Sequence, residues 1–198
     1  MLLSKAERTR QYIVEKTAPV FNTKGYAGTS INDLMEATGL SKGSIYGNFE
    51  NKDEVALAAF DFNFSHVIHF LKTEMSSRET IIEKLLVYPD TYRNFLTLPL
   101  LKAGCPILNT STEADDTHPL LKEKAANALL FWKNSVEQLI QKGIERNEIK
   151  PDTNVAAFAI ILMSLIEGAV MQAKVTGQNE PLHITMDYLH QIILDLKP

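Results

Sequence analysis

Cysteine occurs once in the 198 residues, as Cys105. That excludes an intramolecular disulfide and any multi-cysteine metal site, and makes a reducing cytoplasm the expected compartment. The N-terminus, MLLSKAERTRQ, lacks the apolar h-region of a secretory signal. There is no G-x-S-x-G elbow, no glycine-rich phosphate loop and no Cys-His pair at a nucleophile spacing, so neither an enzyme nor a bound cofactor is expected. His66 and His69 stand at i, i+3 without a sequence-adjacent partner set, and they are read as structural rather than as metal ligands. Strand-like alternation, internal repeats and low-complexity segments are also missing. One apolar stretch, Val155 to Val175, is long enough to suggest a membrane span, but Ser164, Glu167, Gly168, Gln172 and Lys174 interrupt it. An ionised Glu167 near mid-bilayer costs several kcal/mol. The stretch is read as a core helix covered on both sides, with no membrane partner.

What remains is a chain of ordinary globular composition, 45% apolar and 22% charged, long enough for one medium domain or two small ones. Its charge is unevenly divided. Residues 1–49 carry six bases and four acids, a net of +2, which leaves −6 on the rest of a chain whose total is −4. A mildly basic end on an acidic body suits a molecule that meets phosphates with one end only.

Helical spacing recurs throughout, so the fold class is all-α. Ile13, Thr17, Val20 and Phe21 share one face of a first helix, with a kink expected at Pro19 and an end at Gly25. Ser30 with Asp33, and Asn51 with Glu54, mark two further helix starts. Later helices are expected from Arg78 to Leu101 (interrupted by Pro89 and Pro99), from Pro106, through Leu121 to about Asn147, over Thr153–Thr176 and over Pro181–Leu196. In the last of these, Leu182, Met186, Leu189 and Ile193 step by four, three and four, a packing seam expected to meet a second copy of the chain.

Two of the predicted helices are short and closely joined: Ser30–Thr38, the turn Gly39-Leu40, then Ser41–Gly47. This is a helix-turn-helix pattern. Ile31, Leu34 and Met35 can pack on Leu40 and Ile45, which leaves Ser41, Lys42, Gly43, Ser44, Tyr46 and Asn48 on the outer face of the second helix. Those side-chain types reach base edges and phosphates in a major groove. Spacing alone does not separate this from a solvated helical hairpin.

The run GYAGTSINDLMEATGLSKGSIYGNFENKDEVAL resembles the DNA-binding signature of the tetracycline-repressor (TetR) family. The likeness covers about residues 5–60 and rests on Phe21, Gly25-Tyr26, Thr29-Ser30, the turn Ala37-Thr38-Gly39-Leu40-Ser41, and Tyr46, Phe49 and Lys52 in fixed register. The resemblance implies an all-helical protein of about nine helices, with residues 1–50 a DNA-binding domain and 51–198 a ligand-binding and dimerisation domain. It implies a homodimer through the last two helices on an inverted-repeat operator of double-stranded DNA. It also implies that Thr29 and Ser30 touch phosphate, that Ser41, Lys42, Gly43 and Ser44 read or flank bases, and that Tyr46 and Lys52 meet the phosphate backbone. Two positions depart from the family pattern: Asn48 stands where His is usual, and Met35 where a small residue is usual.

Residues 104–113, GCPILNTSTE, resemble a Gly-Cys-Pro…Asn…Glu stretch of one branch of that family. The family body encloses a small-molecule effector, and the expected lining here is Phe64, Phe70, Tyr92, Phe95, Cys105, Leu108, Trp132 and Met163. Aromatic and soft apolar side chains with few charges favour a hydrophobic or amphipathic effector that releases DNA. Two alternatives keep the DNA binding: a body that docks a protein partner, or one that senses redox state through Cys105.

Overall fold

A computed structural model of the protein describes residues 4–99, 101 and 103–198. Among these the chain forms nine α-helices and no strand: α1 (Lys5–Lys24), α2 (Ile31–Thr38), α3 (Lys42–Tyr46), α4 (Lys52–Ser76), α5 (Ile81–Arg93), α6 (Pro106–Ala114), α7 (Pro119–Glu145), α8 (Val155–Thr176) and α9 (Glu180–Leu194). The expected all-α class and helix number hold. Local chemistry explains most helix starts. Ser4 with Glu7, Ser30 with Asp33 and Thr80 with Glu83 each close a capping box, and Asn154 caps α8 by accepting the Ala157 N–H. Pro106 stands in the first turn of α6, where its missing donor costs nothing. Pro19 does not end α1, which continues to Lys24.

The chain gathers into two compact units that do not follow its linear order: Met1–His66 with Ala103–Ala126, and Val67–Lys102 with Asn127–Pro198. Both α4 and α7 contribute residues to each.

In the first unit α1 packs on α2, and α2 on α3. Ile13, Leu34, Ile45, Val55 and Ala59 are fully buried there, with Phe49 and Phe60 nearly so. Burying a side chain such as Leu34 or Ile45 contributes about 1.5–3 kcal/mol. Gly39 closes α2 in the left-handed region, at φ 68°, and its N–H donates to the Met35 carbonyl. The chain then turns at once into the Ser41 cap of α3.

In the second unit α9 packs on both α5 and α8. Leu182, Met186, Leu189 and Ile193 are no more than 1% exposed. This corrects the expectation that they meet a second copy: the four, three, four spacing of their seam is satisfied inside their own chain. α8 departs from expectation in the opposite sense. Ala159, Leu162, Ile166, Ala169 and Ala173 are buried, but Ile160, Ile161, Met171 and Val175 on its other side are exposed, as are Ile184 and Tyr188 of α9. The helix is long and apolar enough to cross a membrane by length and composition alone, with a third of its most apolar window packed against protein.

Candidate nucleic-acid interface

The second short helix of the predicted hairpin, α3, is five residues long and carries the outer face that the sequence suggests. Ile45 points inward and is fully buried, while Lys42 and Gly43 are exposed and Ser44 and Tyr46 half-buried. Ser41 caps α3 by accepting the Ser44 N–H at 3.2 Å. Asn48 closes the far end: its Nδ2 donates to the Ser44 carbonyl at 2.9 Å. The Asn48 carbonyl in turn accepts Arg10 Nη1 at 2.5 Å. The Arg10 guanidinium lies 3.9 Å over the Phe49 ring and pairs with Glu54 at 2.6 Å. Tyr12 Oη donates to the Thr38 carbonyl at 2.9 Å, at the end of α2. Arg10 and Tyr12, both on α1, therefore hold the two helices of the hairpin at their ends.

The remaining expected contact residues, Thr29, Ser30 and Lys52, are all engaged within the chain. Thr29 is 1% exposed, and its hydroxyl donates to the Gly25 carbonyl at 2.6 Å. Ser30 is exposed, but its hydroxyl donates to Asp33 at 2.7 Å and accepts the Asp33 N–H. Lys24 approaches the other oxygen of Asp33 at 2.5 Å. Hydrogen bonds from Lys24 and Ser30 hold the Asp33 carboxyl well below the usual carboxylate range. Lys52 Nζ donates to the carbonyls of Tyr26 and Thr29, at 2.8 and 2.9 Å, and sits 4.1 Å over the Tyr26 ring. Its ammonium thus clamps the turn between α1 and α2, a role its spacing does not announce.

Tyr26 is the hub of that turn. Its hydroxyl donates to Asp53, and this bond together with burial pushes the phenol up to about 12. The His118 ring meets the Tyr26 ring edge-on at 4.5 Å, and His118 Nε2 stands 3.9 Å from Asp53 Oδ1.

The GCPILNTSTE stretch explains what holds this turn from the other side. Glu113 of α6 accepts the Tyr26 N–H at 2.7 Å on one oxygen and the Ala27 N–H at 2.8 Å on the other. Asn109 Nδ2 donates to both the carbonyl and Oδ1 of Asn22, each at 2.9 Å, and Asn22 Nδ2 donates to the Gly104 carbonyl at 2.9 Å. Gly25, at φ 73°, lets the backbone close on this carboxylate, which any Cβ there would strike. A void of about 30 Å³ is left among α1, α4 and α6, room for about one water. The Gly, Asn and Glu of the stretch are thus tied to the end of α1 and the turn that leads to α2. Arg10, Tyr12, Tyr26, Asp53 and Glu113 were not among the expected functional residues. The sequence marks Tyr26 and Glu113 only as members of motifs, without the partners they meet.

The expected effector lining is dispersed. Trp132 lines a cleft of about 440 Å³ in the second unit, together with Tyr88, Leu71, Met75 and Leu139. Phe70 lines a separate recess of about 170 Å³ beside Arg78 and Asp90. Tyr92 and Phe95 are buried and stacked, ring centres 6.1 Å apart, with Tyr92 also stacked on Trp132 at 6.4 Å. Met163 is buried in α8. Phe64, Cys105 and Leu108 belong to the first unit, where Phe64 stacks on Phe60 and the buried Cys105 precedes α6.

Comparison with known proteins agrees with this arrangement. The family model for bacterial regulatory proteins of the tetR family matches residues 13–59, and that for the tetracyclin repressor-like C-terminal domain matches residues 82–189. A TetR-family transcriptional regulator from Cytophaga hutchinsonii is 45% identical with a TM-score of 0.92, over 100% of this chain and 98% of that one. A TetR regulator from Chloroflexus aurantiacus is 37% identical with a TM-score of 0.91, over 97% of each chain. The HTH-type transcriptional repressor DhaR of Mycobacterium sp. strain GP1 is 24% identical over 93% of this chain and 92% of its own.

Proposed function

Since the chain belongs to the TetR family of transcriptional regulators, we propose that it acts in the cytoplasm as a homodimeric repressor released from an inverted-repeat operator by a small apolar or amphipathic effector. The observation that carries the DNA-reading part is the exposure of Lys42 and Gly43 on a helix whose inner residue, Ile45, is fully buried. A rigidly seated short helix with a free outer face is what a major groove of about 12 Å width admits. Lys42 and Ser44 read bases, and Ser41 and Tyr46 lie over the phosphates on either side. Asn48 adds a phosphate contact without the pH dependence of a histidine. Thr29, Ser30 and Lys52 act chiefly by fixing the turn that precedes α2.

Dimerisation is assigned to the exposed side of α8 and α9, where Ile160, Ile161, Met171, Val175, Ile184 and Tyr188 form an apolar surface that a lone chain leaves in water. Two-fold pairing of that surface sets two copies of α3 on successive half-sites. Repression follows from occupancy, because a dimer on a promoter blocks polymerase without further contacts. Effector sensing is supported by the cleft beside Trp132, whose volume lies in the usual range for small-molecule sites. The test is direct: purified protein is mixed with its own upstream DNA and a compound library, and compounds that raise the melting temperature are scored for DNA release. Stabilising compounds that all leave the complex intact would count against sensing.

A further inference from the structure

The cleft beside Trp132 has a chemical character that narrows what it accepts. Its floor is apolar and aromatic, from Leu71 and Met75 of α4, Tyr88 of α5 and Trp132 of α7. Its charged lining residues are Lys72 and Lys142, and no acid is among the described residues that line it. Both lysines are exposed, and among the described residues neither forms an ion pair. Lys72 Nζ instead lies 5.6 Å over the ring of Phe131, itself a lining residue.

The floor also holds a weakly satisfied donor. Trp132 is 3% exposed, and its buried indole N–H falls short of a full hydrogen bond to the Tyr88 hydroxyl beside it. The nearby Tyr88 phenol is pushed up to about 12 by its own burial, so it stays a neutral hydroxyl at any physiological pH. A buried donor with only a poor acceptor is costly, and the site gains when a better one arrives.

We propose that this cleft binds an amphiphilic monoanion, an apolar carboxylate being the simplest case. The apolar body lies against Leu71, Met75 and Trp132, and the anionic head meets the ammonium groups of Lys72 and Lys142. The apolar floor supplies most of the affinity, and the lysines supply the choice of sign. A neutral compound of the same shape forgoes the ion pairs, and a cationic one meets two like charges with no acid to offset them. The assignment deepens the effector reading above and rests on it only for the consequence on DNA.

Because Trp132 is the sole tryptophan, its fluorescence reports occupancy of this cleft. The probes are decanoate, decanol and decyltrimethylammonium, titrated into full-length protein. Decanoate is expected to bind about tenfold more tightly than decanol, with the ammonium compound weaker still. The double substitution Lys72→Gln, Lys142→Gln should weaken decanoate about tenfold and abolish its advantage over decanol, since two partly exposed ion pairs together are worth about that factor. Both lysines point to water, so these variants keep the core intact. Equal binding of the three probes, no binding of decanoate, or full decanoate affinity in the double variant would each overturn the proposal. Operator release is scored in a separate assay. Sign-selective binding that leaves DNA affinity unchanged upholds the anion site and overturns effector sensing instead.

Discussion

Glu113 grips the backbone of Tyr26 with one carboxylate oxygen, at 2.7 Å, while its other oxygen takes the next N–H, that of Ala27, at 2.8 Å. The residues are 87 positions apart in sequence. They join α6 to the turn from which α2, and through it α3, departs. Together with Lys52 on the carbonyls of Tyr26 and Thr29, this gives four backbone groups of that turn a side-chain partner. The helix-turn-helix pair is thus mounted on a bonded bracket rather than on a loop.

Glu113→Ala removes the acceptor for two backbone donors. Unfolding stability should fall by about 1–3 kcal/mol, and operator affinity should fall with it, because the bracket loosens even in molecules that stay folded. Gly25→Ala should act in the same direction, through both the positive φ and the collision with the carboxylate. Melting curves and DNA titrations of both variants check this. Operator affinity at the wild-type level in Glu113→Ala would show that the bracket has no part in binding DNA.

Ile184 and Tyr188 are 63% and 59% exposed, whereas Leu189 in the same helix is 0% exposed. Ile184→Glu with Tyr188→Glu should therefore give a folded monomer that no longer binds its operator. Leu189→Glu should unfold the chain, since it places an unpaired charge in the core. Sedimentation velocity with far-ultraviolet circular dichroism separates the two outcomes. A doubly substituted protein that stays dimeric would place the interface elsewhere.

Tyr26 and Tyr88 should both ionise late. Both have folded values raised from 10.0 to about 12, Tyr26 by its bond to Asp53 and Tyr88 by burial. Raised folded values mean that the neutral phenols contribute stability that is complete below pH 10 and is lost as pH climbs through about 12. Tyrosinate absorbance against pH should show a late-titrating phase, and Tyr26→Phe should remove one group from it. Loss of an early-titrating group in Tyr26→Phe would contradict the assignment.

The hairpin was legible in the sequence because its signals are local: Ser30 and Ser41 cap, Gly39 turns, and Leu34 and Ile45 mark the inner sides of the two helices. The seam of α9 was legible too, but its partner was not. Leu182, Met186, Leu189 and Ile193 state only that something apolar covers them, and α5 and α8 of the same chain do so before any second copy can. Periodicity fixes a face, never the identity of what lies against it. The commitments of Thr29, Lys52 and Glu113 were hidden for a related reason. Each bonds backbone groups of the α1–α2 turn, and a backbone carbonyl or N–H leaves no residue-type signature at its position. The cleft residues were dispersed because an aromatic such as Tyr92 or Phe95 reads identically whether it lines a cavity or fills one.

Lys52→Ala should weaken binding to all DNA sequences alike, by loosening the turn and by removing a charge near the backbone. The salt dependence should flatten by less than the roughly one unit expected for a full phosphate contact, because the ammonium is engaged with Tyr26 and Thr29. Affinity measured across a salt series on specific and random duplexes checks both points. A change in preferred sequence would mean that Lys52 reads bases.

Selection of bound duplexes from a random pool measures whether the exposed face of α3 reads DNA in a two-fold arrangement. Wild-type protein should enrich an inverted repeat. Lys42→Ala should change the preferred base at one position in each half-site, symmetrically, with a discrimination of about 1–3 kcal/mol lost there. Enrichment of no inverted repeat, or the same preferred sequence with Lys42→Ala as with wild type, would contradict it.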